Sequence, residues 1–216
     1  MKFFAISVAV LITSVILIVV FSGTSMCVPA RLACIGDSIT ENSAYPAQLQ
    51  DMLGANYFVK EFGVTGSTIM TDTCKPYIYT AAFFRAREFL PNIVIIMLGT
   101  NDAREDHYKS IENFVGDYEQ LVRKVQEIES SPIILLVKPP PIFGNELDLS
   151  NLHLLEGVIP DIERVATDFD LSTIDVYTPL VSHPDCFLDG VHPNNEGACI
   201  IAREICEAIN QSASSR

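Results

Sequence analysis

A chain of 216 residues with a formal net charge of −13 has no basic face with which to neutralise phosphates. That excludes nucleic acid as a partner and disfavours adhesion of the folded part to an anionic membrane surface. With 49% of its residues apolar the chain can bury a full core, and its length fits one domain once the amino terminus is set aside.

The amino terminus is of a different kind. Lys2 precedes an apolar run over residues 3–21, interrupted only by Ser7, Thr13 and Ser14, and Ser22-Gly23-Thr24-Ser25 follows. The run is longer than the ~7–15 apolar residues of a usual secretory signal. As a helix it would extend roughly 28 Å, near the ~30 Å hydrocarbon thickness of a bilayer. Residues 1–30 are therefore expected to be a signal peptide or an N-terminal membrane anchor, with residues 31–216 as the folded domain. Either way the domain is placed outside the cytosol, and a membrane is a partner only if the segment stays uncleaved. Six cysteines suit that compartment. Cys34 falls inside a core strand as a buried thiol, and Cys74 and Cys186, both in loops after strands, are the first candidates for a disulfide. No Cys-x-x-Cys pair points to zinc.

The folded part opens with Leu32-Ala33-Cys34-Ile35, a buried strand that ends in Gly36-Asp37-Ser38. Helix-compatible sequence covers residues 44–53, so the serine sits between a strand end and a helix beginning just beyond it. Unpaired N–H groups at such a place favour developing negative charge. A second strand, residues 57–62, leads into the glycine-bearing loop Gly63-Val64-Thr65-Gly66-Ser67. A helix is expected over 81–89, stopped by Pro91. The continuous apolar run over residues 93–98 reads as a strand buried on both faces, as in parallel sheets, and ends in Gly99-Thr100-Asn101-Asp102. Ile111, Phe114, Val115, Tyr118, Leu121, Val122, Val125 and Ile128 recur at helical spacing, a stripe that belongs to the core. Strand 133–137 follows, then Pro139-Pro140-Pro141 as an extended loop that could wall a pocket together with Phe143. An amphipathic helix covers 154–166, with Pro160 marking a kink or a start. A short strand at 173–176, the segment Asp189-Gly190-Val191-His192-Pro193 and a last helix from Asn195 to about residue 210 complete the chain.

Five alternations of strand and helix without a hairpin signal predict an α/β fold: a five-stranded parallel sheet between helical layers. Ligands in such folds sit beyond the carboxyl ends of the strands. Ser38, Gly66, Asn101 and the 189–192 segment all follow strands, so they converge on one edge. A serine hydroxyl needs a base. His192 can be that base, held by Asp189 three residues earlier across a turn opened by Gly190, in the chain order serine, acid, histidine. The N–H groups of Ser38 and Gly66 and the side-chain amide of Asn101 could receive an oxyanion. Each has a plainer alternative: Asp189 as a cap of the last helix, Gly66 as a turn residue and Asn101 as a loop cap. Asp37 and Asp102 read as braces of their turns, and His107, His153 and His183 as surface residues.

Gly36-Asp37-Ser38, Gly66, Gly99-Thr100-Asn101-Asp102 and Asp189-Gly190-Val191-His192-Pro193 stand in the order and spacing of the SGNH (GDSL-type) hydrolases, and the chain resembles that family from end to end of its folded part. Residues 36–41, 96–102 and 189–194 look like its sialate O-acetylesterase and carbohydrate-acetylesterase branch. The resemblance implies a flavodoxin-like α/β/α sandwich and serine esterase chemistry with no cofactor and no metal. It also implies Ser38 as nucleophile, His192 as base, Asp189 as orienting acid, and Ser38, Gly66 and Asn101 as the oxyanion hole. Relatives often carry asparagine where Glu61 stands, so the local hydrogen bonding is expected to differ there. The function so implied is hydrolysis of short-chain, acetyl-type esters on a small-molecule or glycan substrate. A lysophospholipase- or thioesterase-type lipid esterase and an inactive glycan-binding module are the alternatives. The oligomeric state has no signature in the sequence.

Overall fold

The computed structural model describes residues 28–214; the apolar amino-terminal run lies outside the described residues. Five strands form one sheet in the order β2-β1-β3-β4-β5: β1 Ala30–Gly36, β2 Tyr57–Gly63, β3 Ile93–Met97, β4 Ile133–Lys138 and β5 Ser172–Asp175. All neighbours run parallel, in registers such as Leu32 opposite both Val59 and Ile93. The expected α/β/α sandwich is the observed architecture.

The sandwich follows from the period of two along each strand. Ala33, Ile35, Val94, Ile96, Ile134 and Leu136 face one layer, where they meet Phe83, Phe114, Tyr118, Val122 and Ile162. The residues between them, Leu32, Cys34, Ile95, Leu135 and Val137, face the other layer and meet Tyr45, Leu49, Ile201 and Ile205. The first layer holds α3 (Ala81–Glu88), α4 (Phe114–Gln126) and α6 (Ile159–Asp168); the second holds α2 (Tyr45–Leu53) and α8 (Asn195–Ser214). The short helices α1 (Ser38–Asn42), α5 (Asn151–His153) and α7 (Tyr177–Leu180) belong to the connections. Burying one such aliphatic side chain contributes about 1.5–3 kcal/mol, so each β3 residue, with both faces covered, is part of the floor that holds the site.

Local departures from the sequence expectation have physical causes. Asp37, not the serine, is the cap of α1: its Oδ1 accepts the Ile39 N–H at 2.9 Å, and the helix starts at Ser38 itself. The stripe from Ile111 does not form one helix. Residues 108–113 are 3-10 turns with Ser110 off helical geometry, and α4 begins at Phe114. A π turn at Leu154–Val158 precedes α6, where Pro160 has no N–H to continue a regular ladder. The Cys74–Cys186 disulfide is not formed. Cys74 lies exposed in the loop that packs on the α3–α4 layer, whereas Cys186 is buried on the α2–α8 side of the sheet. Cys34 is a buried thiol as expected, and desolvation pushes it up to about 12.

The order β2-β1-β3 means that the chain leaves β1 toward one edge and returns to start β3 on the other side. Loops that follow β1 and β3 diverge there and open a crevice, the usual ligand position in this topology.

Candidate active site

Ser38 lies at that crevice, directly beyond β1, and is 7% exposed. Its Oγ is 2.9 Å from His192 Nε2, a contact between groups 154 residues apart in sequence. His192 Nδ1 is 2.7 Å from Asp189 Oδ2. A carboxylate can only accept here, so Nδ1 carries the proton, and Nε2 is left to accept from the serine hydroxyl. The other carboxylate oxygen, Oδ1, accepts the N–H groups of Val191 at 3.0 Å and His192 at 2.8 Å. Partial burial works against the Asp189 charge, but these N–H groups and the ring outweigh it and hold the carboxyl below its ordinary value. The acid therefore stays ionised while it orients the imidazole.

The turn geometry depends on Gly190. Its φ is +85°, and a Cβ there would lie 2.3 Å from the Gly144 carbonyl oxygen. The 143–149 loop is clasped at the same point, where the Phe143 N–H donates to Gly190 O at 2.8 Å.

The loops that carry the three expected oxyanion donors are tied to one another, the Val64 N–H donating to Gly36 O at 3.0 Å and Asn101 reaching Ser67. The backbone N–H groups of Ser38 and Gly66 take no partner among the described residues. Gly66 adopts φ +77°, a backbone region that glycine enters without a Cβ penalty. Asn101 Nδ2 donates one hydrogen to Ser67 O at 3.0 Å and retains a second. The loop carrying Gly66 is tied at several points. Glu41 accepts from the Thr65 N–H at 2.6 Å and from its hydroxyl at 2.5 Å. Asp102, fully buried, accepts from the N–H groups of Ile69 at 3.1 Å and Met70 at 2.9 Å. Asp102 thus binds the Gly66 loop to the Asn101 turn. Glu61, at the departure from the family pattern, uses its own carboxylate to accept the Gly63 N–H at 3.0 Å. Burial pushes Asp37 up to about 6 and Asp102 up to about 7, against the N–H groups that oppose it.

Sequence reasoning named Ser38, Gly66, Asn101, Asp189 and His192; the structure joins Ser38, His192 and Asp189 through direct contacts and ties Asn101 to the Gly66 loop through Ser67 O. It missed Glu41 and the bridging part of Asp102, since neither partner loop is near in sequence. The triple proline is buried rather than exposed to the crevice. Instead, residues 144–147, with Leu188, Asp189 and Gly190, line a hollow of about 690 Å³. It shares Leu188 and Asp189 with a cleft of about 270 Å³ at Ser38, His192 and Asn42. The histidines read as free surface residues are not all so: His107 and His153 hydrogen-bond backbone carbonyls. His183 is exposed as expected, and its ring, Asp185 and Cys186 place possible ligand atoms within 4.8 Å of one another.

A profile of the GDSL-like lipase/acylhydrolase family matches residues 34–199. The chain belongs to that family. Among curated relatives of this GDSL-like chain is an acetylxylan esterase of Xylanibacter ruminicola, 33% identical over 205 residues that cover 83% of this chain and 43% of that protein. The chain spans about half the length of the curated relatives it matches. Solved structures with the same fold include an aryl esterase of M. smegmatis, with a TM-score of 0.68, 18% identity and coverage of 84% and 99% of the two chains. A carbohydrate acetylesterase of Sinorhizobium meliloti gives a TM-score of 0.65, 18% identity and coverage of 84% and 99%.

Proposed function

We propose that the chain is a serine esterase that removes short acyl groups, acetyl above all, from carbohydrate through an acyl-enzyme at Ser38. The observation that carries this reading is the relay in which Asp189, His192 and Ser38 join at 2.7 and 2.9 Å. His192 Nε2 takes the hydroxyl proton as Ser38 Oγ attacks the ester carbonyl. The carbonyl oxygen becomes an oxyanion and accepts from the N–H groups of Ser38 and Gly66 and from Asn101 Nδ2. The protonated imidazole then gives its proton to the departing sugar oxygen as the ester C–O bond breaks. A water enters, loses its proton to His192 and attacks the acyl carbon. Collapse returns Ser38 with its proton and releases the carboxylic acid.

The acyl side of the reading is supported by the small size of the cleft at Ser38, about 270 Å³. The carbohydrate side is supported by the acetylxylan esterase relative and by the adjoining open hollow, which leaves room for a bulky leaving group. Location outside the cytosol rests on the amino-terminal segment, as does the division into residues 1–30 and 31–216. Among the described residues, no helix is long and apolar enough to cross a membrane.

The test is hydrolysis of p-nitrophenyl esters of increasing chain length and of acetylated xylo-oligosaccharides. Acetyl is expected to be preferred, and Ser38→Ala to lower turnover by about 10⁵-fold or more. A Ser38→Ala protein with wild-type turnover would refute the mechanism. Leu188, 76% exposed at the cleft, is the observation that favours a lipid esterase, and a preference for long acyl chains would install that reading. No reaction with a fluorophosphonate probe would leave a binding module.

A further inference from the structure

Asn101 must aim its second amide hydrogen at the crevice, yet the turn that carries it is weakly built. Residues 101–103 form a single 3-10 turn, closed by an Arg104 N–H to Asn101 O bond of 3.3 Å. Such bonds are already poorer than α-helical ones, and this one is long. A second and shorter bond reaches the same carbonyl. His107 Nδ1 lies 2.7 Å from Asn101 O.

The proton positions on His107 follow from its partners. A carbonyl can only accept, so Nδ1 bears the hydrogen. That leaves Nε2 as an acceptor, and it lies 3.2 Å from Arg104 Nη2, which can only donate. The two requirements select the same neutral tautomer. The guanidinium is fixed in turn by Asp106, with Nε to Oδ1 at 2.6 Å and Nη2 to Oδ2 at 2.7 Å, a bidentate pair of defined plane. Asp106, Arg104, His107 and the Asn101 peptide form one directed chain.

We propose that His107 is a positioning residue for the oxyanion hole, setting the Asn101 peptide so that its side-chain amide points at the reacting oxygen. The inference rests on the serine-esterase reading for its catalytic consequence. Preceding residues of Asn101 continue from β3, and its amide is steadied by Ser67 O; the carbonyl side depends on the imidazole. Donors to a developing charge must hold position within about 0.5 Å, so a loosened peptide plane costs turnover rather than binding. His153 provides a contrast nearby. Its Nδ1 lies 3.2 Å from Ala103 O, a carbonyl that also accepts the Ser150 N–H at 3.2 Å, and its ring stacks on Tyr108 at 3.8 Å. It braces the same turn without touching Asn101.

The experiment compares His107→Ala, His107→Asn and His153→Ala in the full chain. Asparagine keeps a donor close to the Nδ1 position. His107→Ala is expected to lower kcat about tenfold or more with KM within about twofold, and His107→Asn to recover most of the loss. His153→Ala should leave kcat near wild type and lower only the melting temperature. An unchanged kcat in His107→Ala, a loss confined to KM, or an asparagine variant no better than alanine overturns the proposal. Nitrogen NMR of the wild-type imidazoles supplies a readout free of activity and of variant folding. His107 as the Nδ1–H tautomer, with the Asn101 side-chain amide signal shifted in His107→Ala and restored in His107→Asn, supports the proposal; the Nε2–H tautomer refutes it. If the wild-type protein cleaves no ester, the esterase reading falls, and the NMR result alone decides whether His107 sets the Asn101 geometry.

Discussion

The two sides of the crevice are built on opposite principles. On the side of the Gly66 loop and the Asn101 turn, the anchoring acid, Asp102, is fully buried, and desolvation lifts its carboxyl to about 7. On the opposite side, Asp189 is exposed, and hydrogen bonds keep its carboxyl below the ordinary value. Under the proposed mechanism, one side must present fixed N–H groups to a charge that appears briefly, and a dry, hydrogen-bonded scaffold suits that task. The other must keep an acid ionised beside a ring that gains and loses a proton in each half-reaction, and contact with water suits that one. The carboxylates of the site differ in duty because they differ in solvation.

This contrast can be broken from either side. The largest effect after loss of the serine itself is expected in Asp189→Asn. An amide in place of the carboxylate no longer selects the Nδ1–H tautomer of His192, and kcat should fall on the order of 10⁴-fold with little change in KM. Steady-state kinetics that show less than a tenfold loss would mean the exposed acid is dispensable. Next comes Asn101→Ala, which removes one donor and should reduce kcat by about 10²–10³-fold at constant melting temperature. A fall in stability with no fall in kcat would assign Asn101 to the turn alone.

The smallest effect concerns stability and its sign. Asp102 has a folded value raised from 3.8 to about 7. Its contribution to stability is therefore fully present below about pH 4 and is lost as pH rises toward and through about 7. Asp102→Asn cannot ionise, so the wild-type advantage over this variant should shrink between pH 4 and pH 8, by on the order of 1–4 kcal/mol. Urea titrations at the two pH values measure it. An advantage that stays constant or grows with pH would show that the buried acid does not titrate in this window.

The fold was legible because its signals are local. Continuous apolar runs such as 93–98, and the helical stripe through Tyr118 and Val125, report burial from a few consecutive residues. The site was legible for a related reason: Ser38, Gly66, Asn101 and the 189–192 segment each end a strand, and parallel strands deliver their ends to one edge. What stayed hidden depends on contacts between loops. Glu41 reaching Thr65, Asp102 reaching Met70 and His107 folding back on Asn101 have no periodic signature. Cys74 and Cys186 illustrate the converse, because loop position alone did not reveal that the sheet separates them.

The direction of β1 has a consequence for how the molecule is presented. Its seven residues span about 20 Å from Ala30 to Gly36, and Ser38 stands just beyond the far end. Any support fastened through the residues leading into Val28 therefore grips the pole of the molecule opposite the crevice. Ser38 then faces away from that support, with the length of β1 as its standoff.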